Sequence, residues 1–273
     1  MINKNKWRLI IHDKNDQFAN MAIDEAIAKA VGDGIVKPTL RFYRWDPPTL
    51  SIGYFQKFRK EIDFDFCKKN GIGVVRRITG GRAVLHDDEI TYSICIPAND
   101  PIYEKNLLES YKLIAEALLE GLVLLNLKPE FNYKKLPDQH SSSACFDAPS
   151  LYEITVNGKK IIGSAQKRFQ NVFLQHGSIP FTLDPDKLFN CFLFDNQDLK
   201  ERLKKNFKNI ATSINEELSE PIDHEKAIDA FIQAFKNKFD IDFIQDELSI
   251  QENQLISEIL YKKYASYEWL EKF

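Results

Sequence analysis

The chain has 273 residues, 44% apolar and 28% charged, which suits a soluble globular protein built as one large domain or one domain with a small appendage. Its net charge is −3, so no global basic field points to nucleic acid, and no apolar run nears the ~20 residues that span a bilayer. The opening residues, Met1 to Trp7, lack the apolar core of a secretory signal, so a cytoplasmic protein is expected.

In chain order, residues 7–12 read as an opening strand. Residues 17–31 read as a helix, because Phe18, Met21, Ala22, Ile23, Ala26, Ile27 and Ala30 recur at helical spacing. The runs 40–45 and 49–54 are rich in β-formers and are separated by Pro47-Pro48. A short helix over 60–69 stops at Asn70-Gly71. A strand over 73–77 leads into a Thr79-Gly80-Gly81 turn, and strands follow over 83–86 and 90–96. Residues 104–125 are apolar on most faces, which predicts a helix buried on more than one side.

Residues 127–150 read as mostly irregular. The runs 152–156 and 160–165 pair around Asn157-Gly158, the strongest short hairpin signal. Runs 172–175 and 177–181 continue the sheet, and the stripes over 222–239 and 251–270 are helical. Strands with segregated helices make the fold class α+β.

Four cysteines occur, with no Cys-x-x-Cys pair and no metal-ligand spacing to a histidine, so no metal is expected. Cys67, Cys95 and Cys191 sit in apolar patterns and read as small buried hydrophobes. Cys145 differs: Ser141-Ser142-Ser143 before it and Pro149 after it mark a loop. A cation beside a loop thiol makes a thiolate near neutral pH, which suggests acyl transfer through a thioester.

The paired lysines of the hairpin are candidates for that cation. Around a two-residue turn Val156 faces Lys159 and Thr155 faces Lys160, and the two lysines point to opposite faces. The residues alone leave open which one meets a pocket, and a solvated hairpin tip is the plain alternative. The segment from Arg76 to Ser93 places adjacent glycines among Arg76, Arg77 and Arg82, a pattern that lets backbone approach an anionic ligand. Arg76 and Arg77 also alternate, so at most one faces a site. His86 is either a base or a structural hydrogen-bonder. His176 is a weaker base candidate inside a central strand, and Gly177 marks a close approach or a bulge.

Three segments together, RRITGGRAVLHDDEITYS, CFDAPSLYEI with NGKKIIGSAQKR, and LQHGSI, resemble the lipoate–protein ligase and biotin–ligase-like superfamily, and within it the octanoyltransferase branch. The likeness covers roughly residues 10–245. It implies a mixed, mostly antiparallel sheet flanked by helices, with a catalytic domain over 1–245 and a helical extension over 246–273. By the same resemblance Cys145 would accept an octanoyl group from octanoyl-acyl carrier protein, and Lys160 would lower its pKa. Arg76, Gly80, Gly81, Arg82, His86, Gly163, Ser164, Ala165, His176 and Gly177 would line the acyl site.

The acceptor would be a lysine of the glycine cleavage H protein or another lipoyl domain. No cofactor and no ATP would be needed, and a monomer is expected. A basic surface gathered from Arg76, Arg82, Lys159, Lys167 and Arg168 would dock acidic carriers. The main alternative is an ATP-dependent lipoate–protein ligase working through an acyl-adenylate. A non-catalytic acid-binding protein and an amidotransferase are further alternatives.

Overall fold

The computed structural model describes residues 5–132 and 152–273. Strand β1 (Asn5–Asn15) leads into helix α1 (Gln17–Gly32), which opens at Asp16, whose carboxylate accepts from the N–H groups of Phe18 and Ala19. The chain returns as β2 (Thr39–Trp45), parallel to β1, then as β3 (Thr49–Ile52). Short helices α2 (Phe58–Glu61) and α3 (Phe64–Lys69) stand where the sequence suggested one helix. Asp63 breaks the pair and caps the second, accepting from Phe66 N–H.

Strand β4 (Gly73–Arg76) joins β3 in parallel, and β5 (Val84–His86) joins it antiparallel, closing a small three-stranded sheet. The long strand β6 (Glu89–Pro97) follows, then α4 (Pro101–Glu104) and α5 (Leu107–Leu124). Asn106 separates these helices and accepts from Glu109 N–H, so the long helix starts three residues later than its apolar pattern suggested.

Strand β7 (Pro129–Asn132), within the span expected to be irregular, pairs with β8 (Glu153–Val156), and β9 (Lys159–Lys160) completes that hairpin. The run expected as one strand over 160–165 divides at Ile161-Ile162. Its second part, β10 (Gly163–Arg168), joins a different sheet beside β11 (Val172–Pro180), a single strand where two were expected. Helices α6 (Pro185–Asn190), α7 (Gln197–Ile210), α8 (Ile214–Glu217) and α9 (His224–Phe239) lead to β12 (Ile241–Gln245), a strand the sequence pattern did not reveal. Helix α10 (Ile250–Ile259), a π-helical turn (Leu260–Tyr264) and α11 (Tyr267–Leu270) follow.

The main sheet has six strands in the order β10-β11-β6-β2-β1-β12. Strand β1 is parallel to β2 and β12, and the other pairs are antiparallel, so the sheet is mixed and mostly antiparallel. Neighbouring residues on its strands feed different cores: Leu9, Phe42 and Ile94 pack toward α5 and α9, whereas Ile10, Tyr43 and Cys95 pack toward α1. That alternation covers both faces of the sheet with helices. A third core gathers Leu50, Ile52 and Val74 of the small sheet against Phe189 and Phe207. Cys67, Cys95 and Cys191 are all buried, as their apolar settings suggested. No helix among the described residues is long and apolar enough to cross a membrane.

Candidate active site

Where the small sheet meets β10 and β11, a small cavity opens. One wall is built from small residues, Gly163, Ser164, Ala165, Gly177 and Ser178 on the paired strands β10 and β11. Ser51, Arg77, His86 and His176, the last also on β11, supply polar groups, and Met21, Tyr43, Trp45 and Val84 supply apolar surface. Gly177 is not a bulge, since the β11–β6 register runs through it unbroken. It marks a close approach: a Cβ there would lie 2.6 Å from Gly163 O and from Tyr92 Cε1. Only glycine therefore fits where β11 passes Gly163 and Tyr92.

Two histidine–carboxylate pairs stand at the cavity. His176 Nδ1 lies 3.2 Å from Asp24 Oδ2, and its Nε2 lies 2.7 Å from Thr79 Oγ1. An ionised carboxylate only accepts, so Nδ1 donates to Asp24 and the Thr79 hydroxyl donates to Nε2. Burial is the largest influence on His176 and pushes its pKa down against the opposing pull of Asp24. The imidazole is therefore neutral near pH 7. Burial alone would raise Asp24, but its hydrogen bond with His176 and the Arg41 guanidinium outweigh it and hold the carboxyl below its usual range. We assign the compensating cation to Arg41, whose Nη1 donates to Asp24 Oδ1 at 2.7 Å.

The second pair is His86 and Glu89, with Nδ1 2.8 Å from Glu89 Oε1 and Nε2 2.8 Å from Ser51 Oγ. Glu89 also accepts from Trp45 Nε1 at 3.0 Å and from the hydroxyls of Thr91 and Ser178. Burial would raise Glu89, yet the charge and hydrogen bond of His86 with these hydroxyls bring it below its ordinary value. Neither Asp24 nor Glu89 was singled out from the sequence. The available signal was a carboxylate flanked by the apolar run Met21-Ala22-Ile23 and Ala26-Ile27, which demands a buried partner.

The arginines of the Gly-Gly segment separate as alternation requires, but in the opposite sense to the expectation for Arg76. Arg77 lines the cavity, and Arg76 does not. Arg76 is fully buried and donates only to main-chain carbonyls, those of Gly53, Tyr54, Gln56, Trp269 and Leu270. It is thus removed from any basic docking surface. Arg168 is partly committed as well, donating to Tyr103 O and Lys105 O. Gly80, Gly81 and Arg82 are not among the cavity-lining residues. Arg77 Nη2 reaches across the turn to Gly80 O at 2.8 Å and Arg82 O at 2.7 Å, and Gly81 between them takes φ +87°, a left-handed conformation suited to glycine.

The hairpin has the register read from its turn: Thr155 faces Lys160 and Val156 faces Lys159. Asn157 and Gly158 take φ 51° and 77°, as a type I′ turn requires. Lys160 is the buried member, 5% exposed, with Nζ 2.9 Å from Glu153 Oε1, whereas Lys159 is only half-buried. Glu153 shares the face of Thr155 and meets Lys160 diagonally, a relation the register predicts and the sequence reading left unused. Lys160 is not among the cavity-lining residues. Cys145 lies outside the described residues. The chain on either side of its stretch is pinned together, because Asn132 pairs with Glu153. Among the described residues no cluster of His, Cys, Asp and Glu has the form of a metal site.

The model of the family described as the lipoyl protein ligase A/B catalytic domain matches residues 16–236. The chain belongs to this family. Within the lipoyl protein ligase A/B family, a protein named Octanoyltransferase LipM from Macrococcus caseolyticus is 44% identical over 273 residues, covering 98% of this chain and 99% of that one. The chain accordingly falls in the octanoyltransferase branch and is an acyltransferase. Among solved structures, the bipartite lipoate protein ligase of a Thermoplasma acidophilum lipoylation system superposes with TM-score 0.82 at 27% identity, covering 97% of this chain and 96% of that one. A lipoate-protein ligase A bound with ATP superposes with TM-score 0.78 at 28% identity, covering 97% and 98%. The fold expected from the motif resemblance, a helix-flanked mixed sheet of the lipoate-ligase type, is the fold observed.

Proposed function

We propose that the protein takes an octanoyl group from octanoyl-acyl carrier protein onto Cys145 and passes it to the ε-amine of a lipoyl-domain lysine, in lipoate biosynthesis. The observation that carries the reading is the buried Lys160–Glu153 pair at the root of the stretch that contains Cys145. A cation within a few ångströms of a thiol favours the thiolate.

The thiolate attacks the octanoyl carbonyl, a new sulfur–carbon bond forms, and the carrier thiol departs with a proton. The acceptor amine then attacks the enzyme thioester, an amide forms, and Cys145 is released. The exchange of one thioester for another is near thermoneutral and the amide is downhill, so ATP is not required. The small residues Gly163, Ser164, Ala165, Gly177 and Ser178 that β10 and β11 bring to the cavity support placing the acyl chain beside them. The two histidine–carboxylate pairs supply oriented donors and acceptors there. The glycine cleavage H protein or a related lipoyl domain is the proposed acceptor, the protein works as a monomer in the cytoplasm, and residues 246–273 form a helical extension of the catalytic unit.

One observation favours a second reading, an ATP-dependent ligase: the ATP-bound ligase structure aligns over nearly the whole chain. Intact-mass spectrometry decides between them. With octanoyl-acyl carrier protein and no ATP, the protein should gain one octanoyl group that hydroxylamine removes, and Cys145→Ala should gain none. An unmodified protein whose acceptor labelling requires ATP and free acid would establish the ligase instead.

A further inference from the structure

The environment of Arg76 does not resemble a ligand site. Its guanidinium has 0% exposure, and each of its hydrogen bonds ends on a main-chain carbonyl. On one side Nε reaches Trp269 O at 3.0 Å and Nη2 reaches Leu270 O at 2.6 Å. These are carbonyls at the end of α11, which have no partner within their helix. The indole of Trp269 answers by donating to Arg76 O at 2.8 Å. On the other side Nη1 reaches Gly53 O, Tyr54 O and Gln56 O, at 3.1, 2.7 and 2.8 Å.

The segment gripped in this way is the one that supports the Gly-Gly turn. Tyr54 N–H donates to Thr79 O at 2.9 Å, and Gly53 lies so close beneath the turn that a Cβ on it would be 1.8 Å from Gly81 O. Thr79 in turn holds His176 at the cavity. A continuous run of hydrogen bonds and contact therefore joins residues 267–270 to the cavity wall, and Arg76 is its central member.

We propose that Arg76 is a positioning residue that ties the turn at 267–270 to the Gly80-Gly81 loop, so that this distant segment sets the conformation of the loop during acyl transfer. The inference rests on the proposed function only in naming what the loop receives. A lysine cannot replace the arginine, because a single ammonium has one nitrogen with which to span carbonyls that the guanidinium fork reaches from two sides.

Hydrogen exchange on the whole protein tests the tie without reference to catalysis. In Arg76→Lys, in Trp269→Phe and in a chain ended at Ser266, amides at 54 and 80–82 should exchange about tenfold faster or more, while those of β6 and β11 keep their protection. In the same variants KM for the octanoyl donor should rise about tenfold with kcat changed far less, the split expected of a lost loop conformation rather than a lost chemical group. Trp269→Phe keeps the arginine and the aromatic ring, so it remains informative if the other variants do not fold. Unchanged exchange at 54 and 80–82 in a folded variant would overturn the proposal. Faster exchange in a protein that never accepts an octanoyl group would retain the tie and reject the function.

Discussion

Asp24 lies on the buried side of α1 and accepts from Arg41, Tyr43, Ser93 and His176. The charge is tolerated because each lone-pair direction is used, and burial without such partners would be prohibitive. The same arginine donates through Nε to His12 Nδ1 at 3.1 Å, so His12 must stay unprotonated there. Burial first and Arg41 second lower its pKa from 6.5 to about 4, with Asp24 opposing. Between these values the unfolded chain binds a proton at His12 that the folded chain refuses. Stability is therefore complete above the unfolded value and is lost as pH falls through 6.5 toward 4. His176 is shifted in the same direction and adds to the loss.

His12→Gln retains an acceptor for Arg41 but cannot titrate. Its melting temperature should fall less than that of the parent between about pH 7 and pH 5 in thermal denaturation, and parallel profiles would contradict the assignment. Little of this network was legible in the sequence. His86 and His176 stand out as polar residues in strands, but Asp24, which orients His176, comes from a helix 152 residues away that only the assembled fold brings beside it, whereas Glu89 lies just three residues beyond His86.

The elements were easier to read than the partners they choose. The hairpin register followed from Asn157-Gly158, because a two-residue turn fixes every pair beyond it. The division at Ile161-Ile162 did not follow, since both residues are fully apolar and sit as comfortably in a continuing strand as in a crossing between sheets. Strand β12 escaped notice for a related reason: Ile241-Asp242-Phe243 is a short edge run directly after a helix that ends at Asp240 in a left-handed conformation. The one-residue alternation of Arg76 and Arg77 was legible, but which of them met the cavity depended on α11, far along the chain.

Strand β11 shows what such packing demands of a single position. Gly177→Ala would press a methyl group on Gly163 O, which is backbone and yields only if β10 shifts. Urea denaturation should register a loss of about 1–3 kcal/mol. Acyl-enzyme formation should fall with it, and an unaffected variant would mean that the two strands separate readily.

At the scale of the molecule, residues after β12 are bound to the body by polar ties as well as by apolar packing. Arg8 pairs with the fully buried Glu252, Glu25 receives Lys263 at 2.6 Å and Tyr264 at 2.7 Å, and Arg76 holds the end of α11. Glu252 also serves the capping box at Ser249, so one carboxylate both starts α10 and anchors it. Arg8→Met should cost about 3–5 kcal/mol in equilibrium unfolding, because a carboxylate is left buried without its cation. Adding Glu252→Gln should recover part of the loss. A double variant no better than the single one would show that the charge was not the cause. Nothing local in the sequence links Arg8 with Glu252, which stand at opposite ends of the chain.

Helices α5 and α9, which cover the other face of the sheet, meet at Gly121, where a Cβ would lie 2.2 Å from the ring of Phe231. The ring occupies the volume that a side chain on α5 would need. Positions 121 and 231 consequently share a single allowance of space, so drift at one is licensed only by a smaller residue at the other, and neither can be altered as an independent site.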